Sequence, residues 1–320
     1  MDAPDWERPL NHVEKLLEKI RQYRQGRTTL GRDDKILTAW NGLMIAALAR
    51  AGLMFDEPRY LQAAQSAAEF LRDNLRDEHG RLLARWRDGE AAHAGTLDDY
   101  AFLSWGLLEL YGATFQIEWL ELACDTAEAM LNYFFDGENG GFYPYASDGE
   151  QLISRSKDAY DGAMPSGNSV AGLVLSRLGR LTGEQRWRDA AEKQFRYLAG
   201  VAEDYPSGHA FALLAMTEEL WPGAELVVAA AELPEELFEF LRENCFLNLS
   251  VLAKTNANSE ALSKLAPYTS NYPIPRSGVK YYLCQTGACA APVTSLDEVR
   301  ALLHSKGNPQ ANPTTTEDKG

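Results

Sequence analysis

Basic residues are few for the number of acids: 31 Lys and Arg stand against 46 Asp and Glu in 320 residues, a formal net charge of −15. Nucleic acids and anionic membrane surfaces recruit clustered cations that displace counterions, so this deficit argues against both as partners. No run of about 18 apolar residues occurs, which argues against a membrane-spanning helix. The start, MDAPDWERPL, lacks the basic and apolar blocks of a secretory leader. The expectation is a cytoplasmic protein with a neutral or small-molecule ligand. Cysteine is scarce too: Cys124, Cys245, Cys284 and Cys289 are too few and too scattered for a disulfide framework. The close pair, in YYLCQTGACAAP, is spaced more widely than a redox Cys-x-x-Cys, and no His/Cys pair nearby completes a zinc site. Both read as ordinary buried thiols, with no metal or cofactor expected. A nucleophile elbow around Ser, a phosphate-cradling Gly-rich loop and His-Glu-x-x-His are equally missing, so serine hydrolase, nucleotide-binding and zincin readings lose support.

What is present is a repeat. WNGLMIAALARAGLMFDEPRYLQAAQSAAEFL from Trp40, DYAFLSWGLLELYGATFQIEWLELACDTAEAML from Asp99 and GNSVAGLVLSRLGRLTGEQRWRDAAEKQFRYL from Gly167 share one plan. Each opens with a helix apolar on nearly all faces, turns near a glycine (Gly52, Gly112, Gly183), and continues in an amphipathic helix carrying an aromatic (Tyr60, Trp119, Trp187). A helix apolar all round is buried on every side, and one with a polar stripe borders water, so each unit is an inner helix followed by an outer one. SGHAFALLAMTEELW from Ser207 is a fourth inner helix, and HVEKLLEKIRQY from His12 resembles an outer helix without its mate.

Inner-to-outer turns are short, whereas the outer-to-inner connections are long and Gly-punctuated, with hairpin-like stretches such as RLLARW. All the long connections therefore fall on the face where inner helices start. Helix N-termini leave N–H groups unpaired and carry partial positive charge, which suits hydroxyl and carboxylate ligands. A shared basin floored by the inner-helix starts is expected there.

Beyond about residue 223 the pattern changes. ELVVAA, LSVLAKT and VKYYLC read as strands, LPEELFEFLREN as a helix, and SLDEVRALLH as a helix opened by a Ser295–Glu298 capping box. TNANSEALSKLAPYTSNYPIPRSG reads as a long loop. The expected organisation is a helical region over 1–223, a small α/β unit over 224–305 and a disordered polar tail over 306–320.

DDKILTAWNGLMIAALARAG, LDDYAFL, RSKDAYDGAMPSGNSVA and YLCQTGACAAPV together resemble the spermatogenesis-associated protein 20-like family, whose bacterial members are thioredoxin domain-containing proteins of the YyaL type. The resemblance implies a mainly α fold: an incomplete (α/α)6 toroid of the six-hairpin glycosidase type, followed by the small α/β unit. The family's thioredoxin-like domain has no counterpart before Asp33, and only part of a ring is present. The expected partners are a sugar-like small molecule and, to cover the open inner helices, a second copy or a separate N-terminal half.

Site candidates follow from the basin. Asp98 and Asp99 precede an inner helix; one serves as a cap, leaving the other for a sugar hydroxyl or proton transfer. Asp158, in the second long connection, is the natural partner carboxylate, and paired carboxylates are the minimal equipment of a glycosidase. His209 begins the fourth inner helix and can carry a proton near neutral pH. Asp99, Asp158 and His209 are thus the catalytic candidates. Trp40 and Tyr100 are stacking platforms, Asn41 and Asn168 supply amides, and Asp34, Asp98 and Ser166 complete the binding set, although core packing or capping is the plain alternative for each. The two functional readings are a sugar epimerase, isomerase or hydrolase, and a non-catalytic assembly module for a thioredoxin-like domain supplied in trans.

Overall fold

The computed structural model describes residues 7–27, 31–149, 155–221, 223–244, 248–285 and 287–305. Two compact units emerge, Met1–Lys35 and Ile36–Gly320. The first holds α1 (Glu7–Arg27), whose Val13, Leu16, Leu17, Ile20 and Tyr23 recur at helical spacing and are exposed. The tail expected to be disordered lies outside the described residues.

The second unit is built from helical pairs. These are α2 (Thr38–Met54) with α3 (Pro58–Asn74), α4 (Leu97–Thr114) with α5 (Ile117–Phe134), and α6 (Gly167–Thr182) with α7 (Gln185–Ala202). A fourth inner helix, α8 (Ala210–Leu220), follows a 3-10 turn at Pro206–His209. α4 and α6 are buried almost all round, while α3 buries only Ala64, Ala68 and Leu71, as the inner and outer patterns require. The inner helices lie side by side in the order α2, α4, α6, α8. Glycine permits the tightest of these approaches: a Cβ at Gly42 would stand 2.6 Å from the Leu103 nitrogen, and one at Gly106 2.6 Å from the Gly42 carbonyl oxygen.

The turns differ in detail from expectation. Gly183 (φ 73°) is a left-handed helix cap, but α2 and α4 run past Gly52 and Gly112 and end near Asp56 (φ 52°) and Phe115 (φ 54°). In α4 burial continues to Ala113 and Phe115 and outweighs the strain of a non-glycine left-handed residue, whereas Met54 and Phe55 at the end of α2 are exposed. The first long connection contains the expected hairpin, β2 (Leu83–Arg87) with β3 (Glu90–Ala94), and β1 (Ile36–Leu37) adds antiparallel to β2.

The C-terminal sheet has the order β5-β4-β6-β7: β4 (Ala224–Ala230) is parallel to β5 (Leu249–Lys254) and antiparallel to β6 (Val279–Gln285), which pairs with the short β7 (Ala288–Cys289). α9 (Glu235–Glu243) and α11 (Leu296–Ser305) are where the sequence places them, and Ser295 and Glu298 form the capping box. The expected long loop instead contains α10 (Ser259–Leu265) and a 3-10 turn at Pro267–Asn271, because Leu262 and Ala266 are wholly buried and their burial stabilises a local helix within a polar stretch. One hydrophobic core runs through helices and sheet alike, with Phe115 of the helical region packed on Phe238 of α9. Cys284 and Cys289, read as ordinary thiols, form a disulfide: they face each other across β6 and β7, a register that spacing alone did not reveal. Cys124 is a buried free thiol.

Candidate functional site

Carboxylates tie the inner-helix starts together on one face. Asp99, in the first turn of α4, accepts the Thr96 N–H (2.8 Å) and hydroxyl (3.0 Å) on Oδ2, and the Ala39 N–H at the start of α2 (2.9 Å) on Oδ1. Asp98 accepts the Gly167 N–H at the start of α6. Asp161 accepts the Ser166 N–H (2.8 Å) on one oxygen, and the Phe211 and Ala212 N–H groups of α8 (2.8 and 3.0 Å) on the other. Each carboxylate satisfies orphan helix donors and complements the positive end of a neighbouring helix. That is why LDDYAFL opens a buried helix with two carboxylates: they join one helix start to the next.

A cavity of ≈ 190 Å³ lies at these starts. Thr96, Leu97, Asp98, Pro144, Tyr145, Asp158 and Asn168 line it. The Leu97 N–H donates to the Pro144 carbonyl (3.0 Å), which lays the second long connection against α4. Burial pushes the Asp98 carboxyl above its ordinary range, against the lowering by the Gly167 N–H, and the neighbouring Asp158 charge pushes it further. Asp158 is exposed and accepts the Tyr160 N–H on Oδ1 (3.1 Å). Tyr145 presents an exposed ring at this wall, and Arg155 holds its carbonyl (2.7 Å). The chemistry on offer is one carboxyl that keeps its proton to higher pH, a second carboxylate open to water, and an aromatic face.

The structure brings only part of the expected set together. Asp98, Asp158 and Asn168 share the cavity. Asp99 turns away into its capping box and is 4 % exposed; burial raises its pKa to about 6, against three hydrogen bonds that favour the charge. Tyr100, expected to stack on a ligand, is core: its ring packs on Phe134 and its hydroxyl accepts the Leu82 N–H (2.9 Å). Its position one residue beyond Asp99 on the helix turns it inward. Asn168 is wholly committed, accepting from Phe142 N–H (2.7 Å) and Gln194 (3.1 Å) and donating to the Phe142 and Asp158 carbonyls (2.9 and 2.8 Å). It shapes the wall and has no amide hydrogen left for a ligand.

Ser166 caps α6 through the Ser169 N–H (3.1 Å), and Asn41 donates back to the Leu37 carbonyl (2.8 Å). Trp40 is 60 % exposed at the start of α2 and does not line the cavity. His209 is buried in the 3-10 turn before α8, also away from the lining. Its Nδ1 stands 2.8 Å from the Ala159 carbonyl, an atom that only accepts, so Nδ1 carries a hydrogen and donates it there. Asp34 lies exposed in the other compact unit. Thr96, Pro144 and Tyr145 were missed; an aromatic beside a proline in FYPYASDG, inside an overlong connection, was the signal for Tyr145. Among the described residues, no group of three or more His, Cys, Asp or Glu is placed to hold a metal ion.

No protein-family model matches the chain. Its sequence is 30% identical to human spermatogenesis-associated protein 20 over 301 residues, 90% of this chain, and 29% identical to the mouse protein over the same length. The chain is homologous to part of spermatogenesis-associated protein 20. It spans 38% of the length of those relatives and also matches, at 27% identity over 284 residues, an uncharacterised protein of Caenorhabditis elegans. Among solved structures, this homologue of spermatogenesis-associated protein 20 is similar to cellobiose 2-epimerase from Bacillus thermoamylovorans, with a TM-score of 0.49 and 12% identity over 82% of this chain and 67% of that one. It is also similar to an unsaturated glucuronyl hydrolase from Bacillus sp. GL1, with a TM-score of 0.43 and 19% identity over 54% of this chain and 50% of that one.

Proposed function

We propose that the cavity at the inner-helix starts takes a sugar-like, polyhydroxylated small molecule and moves a proton on it, in an epimerisation, isomerisation or hydrolysis. One observation carries the reading: Asp98 and Asp158 reach one cavity from different elements in unlike environments. Asp98, whose burial keeps its proton to higher pH, is the donor, and the exposed Asp158 is the acceptor. Tyr145 offers the apolar face on which a sugar ring packs, and Thr96 a hydroxyl for its substituents. The proton-transfer role first given to Asp99 passes to Asp98, and His209 is left as a support for the segment that carries Asp158.

The test is NMR observation of mono- and disaccharides incubated with the protein, following anomeric and epimeric signals. Wild type converts at least one sugar; Asp98→Asn and Asp158→Asn each lower the rate by roughly 10²-fold or more, the usual weight of a general acid or base, with folding intact. Turnover retained in both variants would sink the assignment.

A second reading, as an assembly module, is favoured by a separate observation. The outermost inner helices expose large apolar side chains: Trp40 and Met44 on α2, and Leu213, Leu214 and Leu220 on α8. A protein that binds no sugar yet associates through these edges would fit it instead.

A further inference from the structure

Cys284 and Cys289 stand opposite each other across β6 and β7, joined by a disulfide with a Cα–Cα distance of 3.9 Å. The bond from the Ala290 N–H to the Leu283 carbonyl (2.9 Å) marks the next register as hydrogen-bonded. The cysteine pair therefore occupies a non-hydrogen-bonded position, where facing side chains come closest. β7 is the edge strand, Cys289 is exposed and Cys284 is half-buried. The hairpin turn, with Gly287 at φ 77°, already closes this loop, which spans a sequence separation of 5. Cross-linking so short a loop constrains the unfolded chain less than closing a long one would. What the bond adds at an exposed edge is chemistry.

Tyr272 supplies a partner for that chemistry. Its hydroxyl lies 3.6 Å from Cys284 Sγ and 3.7 Å from Cys289 Sγ. Its ring is stacked on Tyr282 with centroids 4.5 Å apart, which fixes the hydroxyl over the sulfurs. Burial pushes the phenol further from ionisation, so the group stays a hydrogen donor.

We propose that the Cys284–Cys289 disulfide is a redox-active site that accepts an electron pair from an external dithiol, with Cys289 the sulfur attacked. A thiolate of the dithiol forms a bond to Cys289 Sγ as the Cys289–Cys284 bond breaks, and the electron pair leaves on Cys284 Sγ, which the Tyr272 hydroxyl stabilises. The second thiol of the dithiol then attacks its own sulfur in the mixed disulfide and releases Cys289. The dithiol ends as a disulfide, and the two protons it loses end on Cys284 and Cys289. The half-buried leaving sulfur and the exposed attacked sulfur set the direction of the exchange.

The test uses the intact chain and a thioredoxin-type protein as the dithiol. With its Cys-x-x-Cys form in catalytic amounts and a thiol-regenerating system, mass spectrometry after alkylation of the native protein shows both cysteines becoming thiols. With its Cys-x-x-Ser form, a mixed disulfide accumulates on the Cys289 peptide. Tyr272→Phe, with unchanged thermal melting, slows reduction roughly tenfold, the weight of one hydrogen bond to a charged sulfur. A disulfide that persists under these conditions, a mixed disulfide formed on Cys284, a wild-type rate in Tyr272→Phe, or a protein isolated with both thiols free that oxidised dithiol does not cross-link would each overturn the proposal.

Discussion

Neighbouring residues of one type have opposite fates at the start of α4. Asp98 looks into a cavity, while Asp99 is turned a helical step away onto the backbone of α2 and its own cap. The sequence displays the pair plainly and suggests one cap and one free carboxylate, whereas both take a helix-start N–H, Gly167 for Asp98 and Ala39 for Asp99. Which of the two faces the cavity is not written in the sequence, because the cavity wall is built by residues distant in the chain, among them Pro144, whose carbonyl takes the Leu97 N–H. Asp99 also carries a pH signature. Its carboxyl titrates at about 6, above the ordinary 3.8, so the folded state holds the proton more tightly than the unfolded one. Stabilisation from this proton is complete below the unfolded value and is lost as pH rises through about 6. Compared with Asp99→Asn in urea titrations, wild type is expected to lose up to about 3 kcal/mol of relative stability between about pH 4 and pH 7. A pH-independent difference would show that the three donors hold the charge as well as water does.

At the scale of elements, a chain of ions crosses the inner helices on the side away from the cavity. Arg177 of α6 lies between Glu109 of α4 (2.7 Å) and Glu218 of α8 (2.8 Å); Arg50 of α2 reaches Glu109 (3.3 Å), and Arg180 reaches Glu218 (2.7 Å). Burial raises the Glu109 carboxyl, but Arg177 and Arg50 outweigh it and hold it below the usual range. All four inner helices are thereby linked at a second level, below the carboxylates that join their starts. Such networks add little net stability when whole and cost much when one partner is removed. Arg177→Met is expected to lower the unfolding free energy by about 3–5 kcal/mol, measured by chemical denaturation, because it strands buried carboxylates. A loss under about 1 kcal/mol would mean that Arg50 and Arg180 suffice. The inner helices were readable from apolar runs, since their burial is a property of composition. The ion chain was not, since Glu109, Arg177 and Glu218 each look like the scattered polar residues any helix tolerates, and only lateral packing makes them neighbours.

For the Ile36–Gly320 unit as a whole, the repeat fixes what its two edges can do. α2 and α8 occupy equivalent positions at opposite ends of one row, and each leaves apolar side chains in water where α4 and α6 have an inner helix on both sides. Pairing the α8 edge of one copy with the α2 edge of another would repeat the contacts already made within the row, a heterologous junction. Pairing α2 with α2 would set unlike directions against each other and repeat nothing. The chain is therefore expected to self-associate with concentration in sedimentation velocity, and either Met44→Lys or Leu214→Lys to abolish it by placing an unpaired charge in the junction. The mixture of the two variants separates the modes. In a heterologous junction, the intact α8 edge of the Met44→Lys chain meets the intact α2 edge of the Leu214→Lys chain, and a dimer reappears that neither forms alone. In an α2-to-α2 junction, Leu214→Lys dimerises by itself and mixing adds nothing, which would refute continuation of the row as the force behind association.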